Sequence, residues 1–219
     1  MRLRVLVGCE YSQTVTKAFR ALGHEAFSCD YLPTDGDPDW HYQEDVLRVL
    51  AREKFDLAIF HPPCTYLTTA AEWAYRDAQT KRMRLGVLFG EARRKARVEA
   101  LRFIDALWSA EIPHICIENP VGVIPTARPG MPKPQYIQPW WFGDDASKKT
   151  GLWLKNLPNL VPTSKMPGDS KTRRANQSPS GQNNVPDKAG RWKIRSKTYQ
   201  GIADAMASQF SACISLGDI

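Results

Sequence analysis

Four short apolar runs, each closed by a turn-forming or acidic residue, constrain this chain more than any other feature. Arg4-Val5-Leu6-Val7 stops at Gly8, and Glu25-Ala26-Phe27-Ser28-Cys29 stops at Asp30. Leu57-Ala58-Ile59-Phe60 stops at His61-Pro62-Pro63, and His114-Ile115-Cys116-Ile117 stops at Glu118-Asn119-Pro120. Between them lie stretches with helical spacing: Val15, Phe19 and Leu22 before Gly23; Val46, Leu47, Val49 and Leu50 after Asp45; and Leu101, Ile104, Leu107 and Trp108. Strands that are apolar throughout are buried on both faces, and alternation with helices makes them parallel neighbours in a covered sheet. Right-handed crossovers leave few topologies. The expectation is an α/β fold with a Rossmann-like, doubly wound, mostly parallel sheet, including one further short strand near Asp39 to Tyr42. Ligands of such sheets lie beyond the carboxyl ends of the strands.

The second half has a different texture. Prolines are frequent from Pro120 to Pro139, the aromatic group Trp140-Trp141-Phe142-Gly143 follows, and Ser147-Lys148-Lys149-Thr150-Gly151 leads into a strand-like Leu152-Trp153-Leu154. From Lys165 to Arg195 there are eight Lys or Arg against two Asp, with too little apolar surface to order the stretch alone. Ile202, Met206 and Phe210 return to helical spacing. The expected organisation is a core over residues 1–150, a small irregular basic insert over 151–194, and a C-terminal helix over 195–219 packed back on the core.

The 219 residues are 42% hydrophobic, which suits a packed domain and excludes wholesale disorder. No apolar run approaches the ~20 residues that cross a bilayer, and the apolar start is too short for a signal peptide. Five cysteines with no CxxC spacing argue against a disulfide framework and a zinc knuckle, so a reducing cytoplasm is the expected compartment. Thirty Lys and Arg against 23 Asp and Glu give a net charge of +7. That balance fits an anionic partner, nucleic acid being the commonest, or a merely solvated basic surface.

The polar residues at the strand ends carry the chemical signal, because a core needs none of them there. Gly8 and Asp30 stand 22 residues apart. That spacing suits a backbone approach and a ribose-binding acid, although a turn glycine and a helix-capping aspartate read the same way. His61-Pro62-Pro63-Cys64-Thr65 holds a cysteine on a stiff loop at the mouth of the sheet, where a nucleophile is useful. Cys9, Cys29, Cys116 and Cys213 read as structural thiols instead. Glu118 ends a neighbouring buried strand; partial burial is expected to raise its pKa, unless backbone amides satisfy it.

Pro63-Cys64, Glu118-Asn119, Gly8-Cys9 and Asp30, in this order and context, resemble the S-adenosylmethionine-dependent cytosine C5 DNA methyltransferases. The whole run His61 to Thr65, with Ser147-Lys148-Lys149-Thr150 and Arg195-Ser196-Lys197-Thr198-Tyr199-Gln200-Gly201-Ile202-Ala203, is similar to short phage or prophage members. The resemblance covers most of the chain apart from about Lys165 to Trp192. It implies the class I methyltransferase fold, S-adenosyl-L-methionine as cofactor, and, for a phage protein, the bacterial host cytoplasm. Cys64 would attack cytosine C6, and Glu118 would hydrogen-bond the ring edge at N3 and the amine. Gly8, Cys9, Glu10, Asp30, Asp45 and Pro63 would line the cofactor site, with Asp30 at the ribose, Asp45 at the adenine amine and Glu10 toward the methionine ammonium. Asn119, Lys148, Lys149, Arg82 and Arg84 would face the substrate. Arg76 and Lys81, in the same basic segment, suit phosphates or a solvated helix face.

This chain departs from the family pattern in three places. Its first turn is poorer in glycine, it lacks a clear counterpart of the arginine that contacts cytosine O2 (Lys148 or Lys149 could stand in), and its recognition region is small. The partner is therefore DNA, duplex or single-stranded, or a free cytosine nucleotide. An exocyclic-amine methyltransferase is the nearest alternative, although Cys64 stands where that group has an aromatic residue. A non-catalytic nucleic-acid-binding protein on the same fold is the alternative from another class.

Overall fold

The computed structural model describes residues 1–77, 86–180 and 191–217. The apolar runs become β1 (Arg4–Gly8), β2 (Glu25–Cys29), β4 (Leu57–Phe60) and β5 (His114–Pro120), with the short β3 (His41–Tyr42) where a strand was expected. Helices α1 (Thr14–Ala21), α2 (Val46–Arg52) and α3 (Gly90–Trp108) connect them. After β5 come α4 (Ile124–Ala127), β6 (Gln135–Ile137), β7 (Thr150–Lys155), α5 (Arg191–Ser196) and α6 (Gln200–Leu216). Among the described residues the strands make one sheet in the order β3-β2-β1-β4-β5-β7-β6. β1 to β5 pair in parallel, whereas β7 is antiparallel to both neighbours. This is a doubly wound α/β layout with one antiparallel strand, β7, inserted between β5 and β6.

Period-2 alternation sorts the strand side chains between two cores. Val5, Val7, Leu57 and Ile59 point to a layer filled by Phe19 of α1 and by Ile202, Met206 and Phe210 of α6. Leu6, Ala58, Phe60, Ile115 and Ile117 point the other way, against Val46 and Val49 of α2 and Leu101, Ile104 and Leu107 of α3. Leu22 departs from the expected helical face: it is the C-cap of α1 and is exposed, because Gly23 at φ +83° has already turned the chain toward β2. Gly201 lets α6 approach closely, since a Cβ there would fall 1.9 Å from the Phe142 carbonyl oxygen.

The core does not stop at residue 150. β7 begins there and lies inside the sheet, paired with β5 over six residues from Ile115↔Lys155 to Pro120↔Thr150. Pairing partners decide this, because a three-residue apolar core flanked by lysines carries little local information. Described residues of the basic stretch pack on the core. Arg174 is 5% exposed and stacks on Trp140 at 4.7 Å, and Asn176 accepts from the Ser147 amide at 2.9 Å.

Candidate active site

The strand registers bring the polar ends into one row. Gly8 pairs with Cys29 and with Phe60, and Phe60 pairs with Ile117, so these four residues are level across the sheet. The residues that follow them, Cys9, Asp30, His61 and Glu118, therefore emerge side by side at the carboxyl edge. The order reverses between β1 and β4, which is where doubly wound sheets open a crevice.

The loops after β4 and β5 are fastened together. Asn119 is buried and donates from Nδ2 to the Pro62 carbonyl at 2.8 Å. The Val123 amide donates to the Leu67 carbonyl at 2.8 Å, and Thr68 bridges to Gly122. Gly122 is required by this contact: a Cβ would sit 2.1 Å from the Leu67 carbonyl oxygen. Behind Cys64, the amides of Leu67 and Thr68 donate to its carbonyl, while Arg93 and Arg97 hold the Thr65 and Tyr66 carbonyls. Pro63 and Cys64 stand exposed on this loop, whereas Cys29 and Cys116 are buried.

Cys64, Glu118 and His61 form the centre. Desolvation, followed by the Glu118 charge, pushes the Cys64 thiol above its ordinary value, against a smaller opposing pull from Lys148 and Arg195. Glu118 behaves contrary to expectation. Its burial does favour the neutral acid, but the His61 ring, the Lys148 charge and the Thr150 hydroxyl together outweigh it and hold the carboxyl below its usual range. His61 Nδ1 lies 3.1 Å from Glu118 Oε2. Near neutrality the sulfur thus carries a proton and the carboxylate does not.

On the β1 side the cofactor candidates divide. Cys9 adopts a left-handed φ of 60°, and its thiol is pushed far up by burial and then by the charges of Asp30, Cys29 and Asp45. Asp30 accepts from the Leu32 amide and Asp45 caps α2 through the Leu47 amide, each with Oδ1. Gly8 serves packing rather than close ligand approach, since a Cβ would meet Phe60 at 2.6 Å and Val46 at 2.8 Å. Glu10 is a correction. Its carboxylate does not face outward for an ammonium group but accepts from the amides of Val15 and Thr16 and from the Thr16 hydroxyl. Gln13, at the N-cap, makes no side-chain cap, so Glu10 answers the unpaired amides of α1.

Of the cations, Lys148 stands at the site; its Nζ donates to the Arg195 carbonyl at 3.2 Å. Lys149 turns away, 4.7 Å over the Tyr136 ring. Lys81, Arg82 and Arg84 lie outside the described residues, and Arg76 is exposed. Three participants were missing from the sequence-based set of site residues: His61, Thr150 and Arg195. For His61 the signal was present, because it and Glu118 each directly follow the last apolar residue of adjacent parallel strands. For Thr150 and Arg195 it was not, since β7 pairing and the return of α5 decide their places.

No family model matches the chain, and a search of curated proteins returns no match. Solved structures similar to it include a DNA modification methyltransferase encoded within a prophage of E. coli, at 11% identity and TM-score 0.43, covering 94% of this chain and 69% of that one. The S. pombe methyltransferase Dnmt2 follows at 15% identity and TM-score 0.42, covering 73% and 51%. An rRNA methylase from Escherichia coli matches at 14% identity and TM-score 0.38, covering 70% and 57%. The chain spans little more than half the length of the last two. Among the described residues no helix is long and apolar enough to cross a membrane, and no group of His, Cys, Asp and Glu could hold a metal ion.

Proposed function

We propose that this chain is an S-adenosylmethionine-dependent methyltransferase that methylates C5 of cytosine in DNA through a covalent bond between Cys64 and C6. The observation that carries the reading is that the loops bearing Cys64 and Glu118 are fastened by the Asn119–Pro62 bond and the Gly122 contact, close enough for the Glu118 charge to act on the Cys64 thiol. Cytosine C5 is a poor nucleophile, and the two groups together remedy that. The Cys64 S–H bond breaks and an S–C6 bond forms. The C5=C6 pair moves to C4=C5, and the C4=N3 pair moves to N3, which takes a proton. Glu118 receives the thiol proton and delivers it to N3. C5 is now enamine-like and would take the methyl group from the bound donor, which leaves as the demethylated thioether; loss of the C5 proton to solvent with expulsion of the thiolate, and return of the N3 proton through Glu118 to the sulfur, then restores the ring and the enzyme. Lys148 supplies positive charge near the developing anion.

The donor set at the β1 side fits the cofactor. Asp30 accepts from one amide, and Asp45 from one amide and the Tyr31 hydroxyl, so each carboxylate keeps acceptor capacity that suits a ribose hydroxyl or an adenine amine. When bound, S-adenosylmethionine supplies the electrophilic methyl group. Cys9 and Pro63, on the loops after β1 and β4, would complete that site.

The test is incubation with labelled methyl donor and, separately, duplex DNA, single-stranded DNA and dCMP, with the product nucleoside identified by mass. The expected product is 5-methylcytosine from DNA, with Cys64→Ser slower by ~10³-fold or more. Methylation of the exocyclic amine, or full activity in Cys64→Ser, sinks the reading.

A further inference from the structure

His61 follows β4 at the level where Glu118 ends the apolar part of β5, and its side chain is only 8% exposed. Its Nδ1 meets Glu118 Oε2 at 3.1 Å, while Nε2 is buried without a hydrogen-bond partner among the described residues. An ionised carboxylate only accepts hydrogen bonds, so Nδ1 carries the hydrogen of this contact. The backbone of His61 is anchored as well, its amide donating to the Gly8 carbonyl at 2.9 Å. The imidazole thus stands between the ends of β1 and β5 with one polar edge committed to the carboxylate.

We propose that His61 is a positioning residue for Glu118, holding the carboxylate ionised and oriented so that it can take a proton from Cys64 and pass it on. The step balances simply: the S–H bond breaks, an O–H bond forms on Glu118, and Nδ1–H stays in place throughout, so His61 neither gains nor loses a proton. The other groups facing Glu118 are Cys64 on its own loop, Thr150 at the start of β7, Lys148 just before β7, and Cys116 two residues earlier on β5. Arg195 acts on the cysteine side. Lys148 and Thr150 remain when His61 is replaced, so the effect of His61 is separable from theirs. This inference deepens the cytosine C5 reading and rests on it only for the reaction, not for the geometry.

The experiment uses the whole chain with ¹³C-labelled glutamate carboxyls, the Glu118 resonance being identified by its loss in Glu118→Gln. In His61→Leu the titration midpoint of that resonance should rise by about one pH unit or more, because burial then acts with one fewer opposing partner. In His61→Asn, which keeps a donor near Nδ1, it should stay closer to the unmodified protein. An unchanged midpoint in His61→Leu, or an equal rise in His61→Asn, overturns the proposal. Independently of folding in any variant of His61 that shifts the midpoint, ring ¹⁵N spectra of the unmodified protein at alkaline pH should show the Nδ1–H tautomer; the Nε2–H tautomer overturns it. The acid limb of methyl transfer should move with the carboxyl midpoint. If the unmodified protein transfers no methyl group to cytosine while these resonances behave as expected, the C5 reading fails and the role of His61 toward Glu118 stands.

Discussion

At the residue scale, the account turns on where one proton sits. The Cys64 thiol is held above its ordinary value and the Glu118 carboxyl below its own, so the pair carries a single proton over a wide span of pH. The reaction needs that state: a second proton blocks Glu118, and loss of the only proton leaves N3 without a donor. Activity should therefore be present above the folded Glu118 pKa and fail as pH falls through it, with the acid limb below the usual carboxylate range. It should fail again as pH rises through the Cys64 value, with the alkaline limb above the usual thiol range. A kcat–pH profile checks both limbs; a narrow bell centred between ordinary carboxylate and thiol values would contradict the assignment. Glu118 also shows where reading residues singly falls short. Its position at a buried strand end was legible, and burial does push toward the acid. The partners that reverse the outcome come from β4 and from the start of β7, and only assembled structure brings them together.

At the scale of elements, the two loops beyond β4 and β5 make the site, and their contact is a backbone contact. Gly122→Ala would place a Cβ 2.1 Å from the Leu67 carbonyl oxygen, so the loops must part. A displacement near 1 Å at a reacting group costs on the order of 10²-fold in rate, and that loss in kcat, with donor binding retained in calorimetry, is the expected result. Unchanged kcat would mean the loops do not position Cys64. Helix α1 gives a second prediction, because Glu10 caps it. Glu10→Ala should lower the unfolding free energy by about 1–2 kcal/mol in denaturant titration and leave donor affinity intact. A loss of donor affinity with unchanged stability would restore the ammonium role instead. The parallel strands were legible because each is apolar along its length and ends abruptly. β7 was not recognised as part of the core, since antiparallel insertion beside β5 is decided by partners thirty or more residues away in sequence.

At the scale of the molecule, the chain carries a net charge of +7, and its basic residues differ in their partners. Lys148 and Arg195 reach the electrostatic field of Cys64, whereas Arg94, Lys95, Arg97 and Arg102 of α3 are each paired with a carboxylate. The cysteine itself is exposed on its loop. An open site with the Lys148 and Arg195 charges beside it suits the proposed reading, a base presented from a polyanionic chain. The most direct test of the central claim is intact-mass analysis after mixing the protein, methyl donor and DNA in which the target cytosine carries fluorine at C5. Fluorine cannot leave as a proton, so the sulfur–carbon bond should persist. The account predicts a species with the mass of protein plus methylated oligonucleotide, mapping to the Cys64 peptide and absent in Cys64→Ser. Methylation of ordinary DNA by a protein that forms no such adduct, or an adduct on another residue, would contradict it.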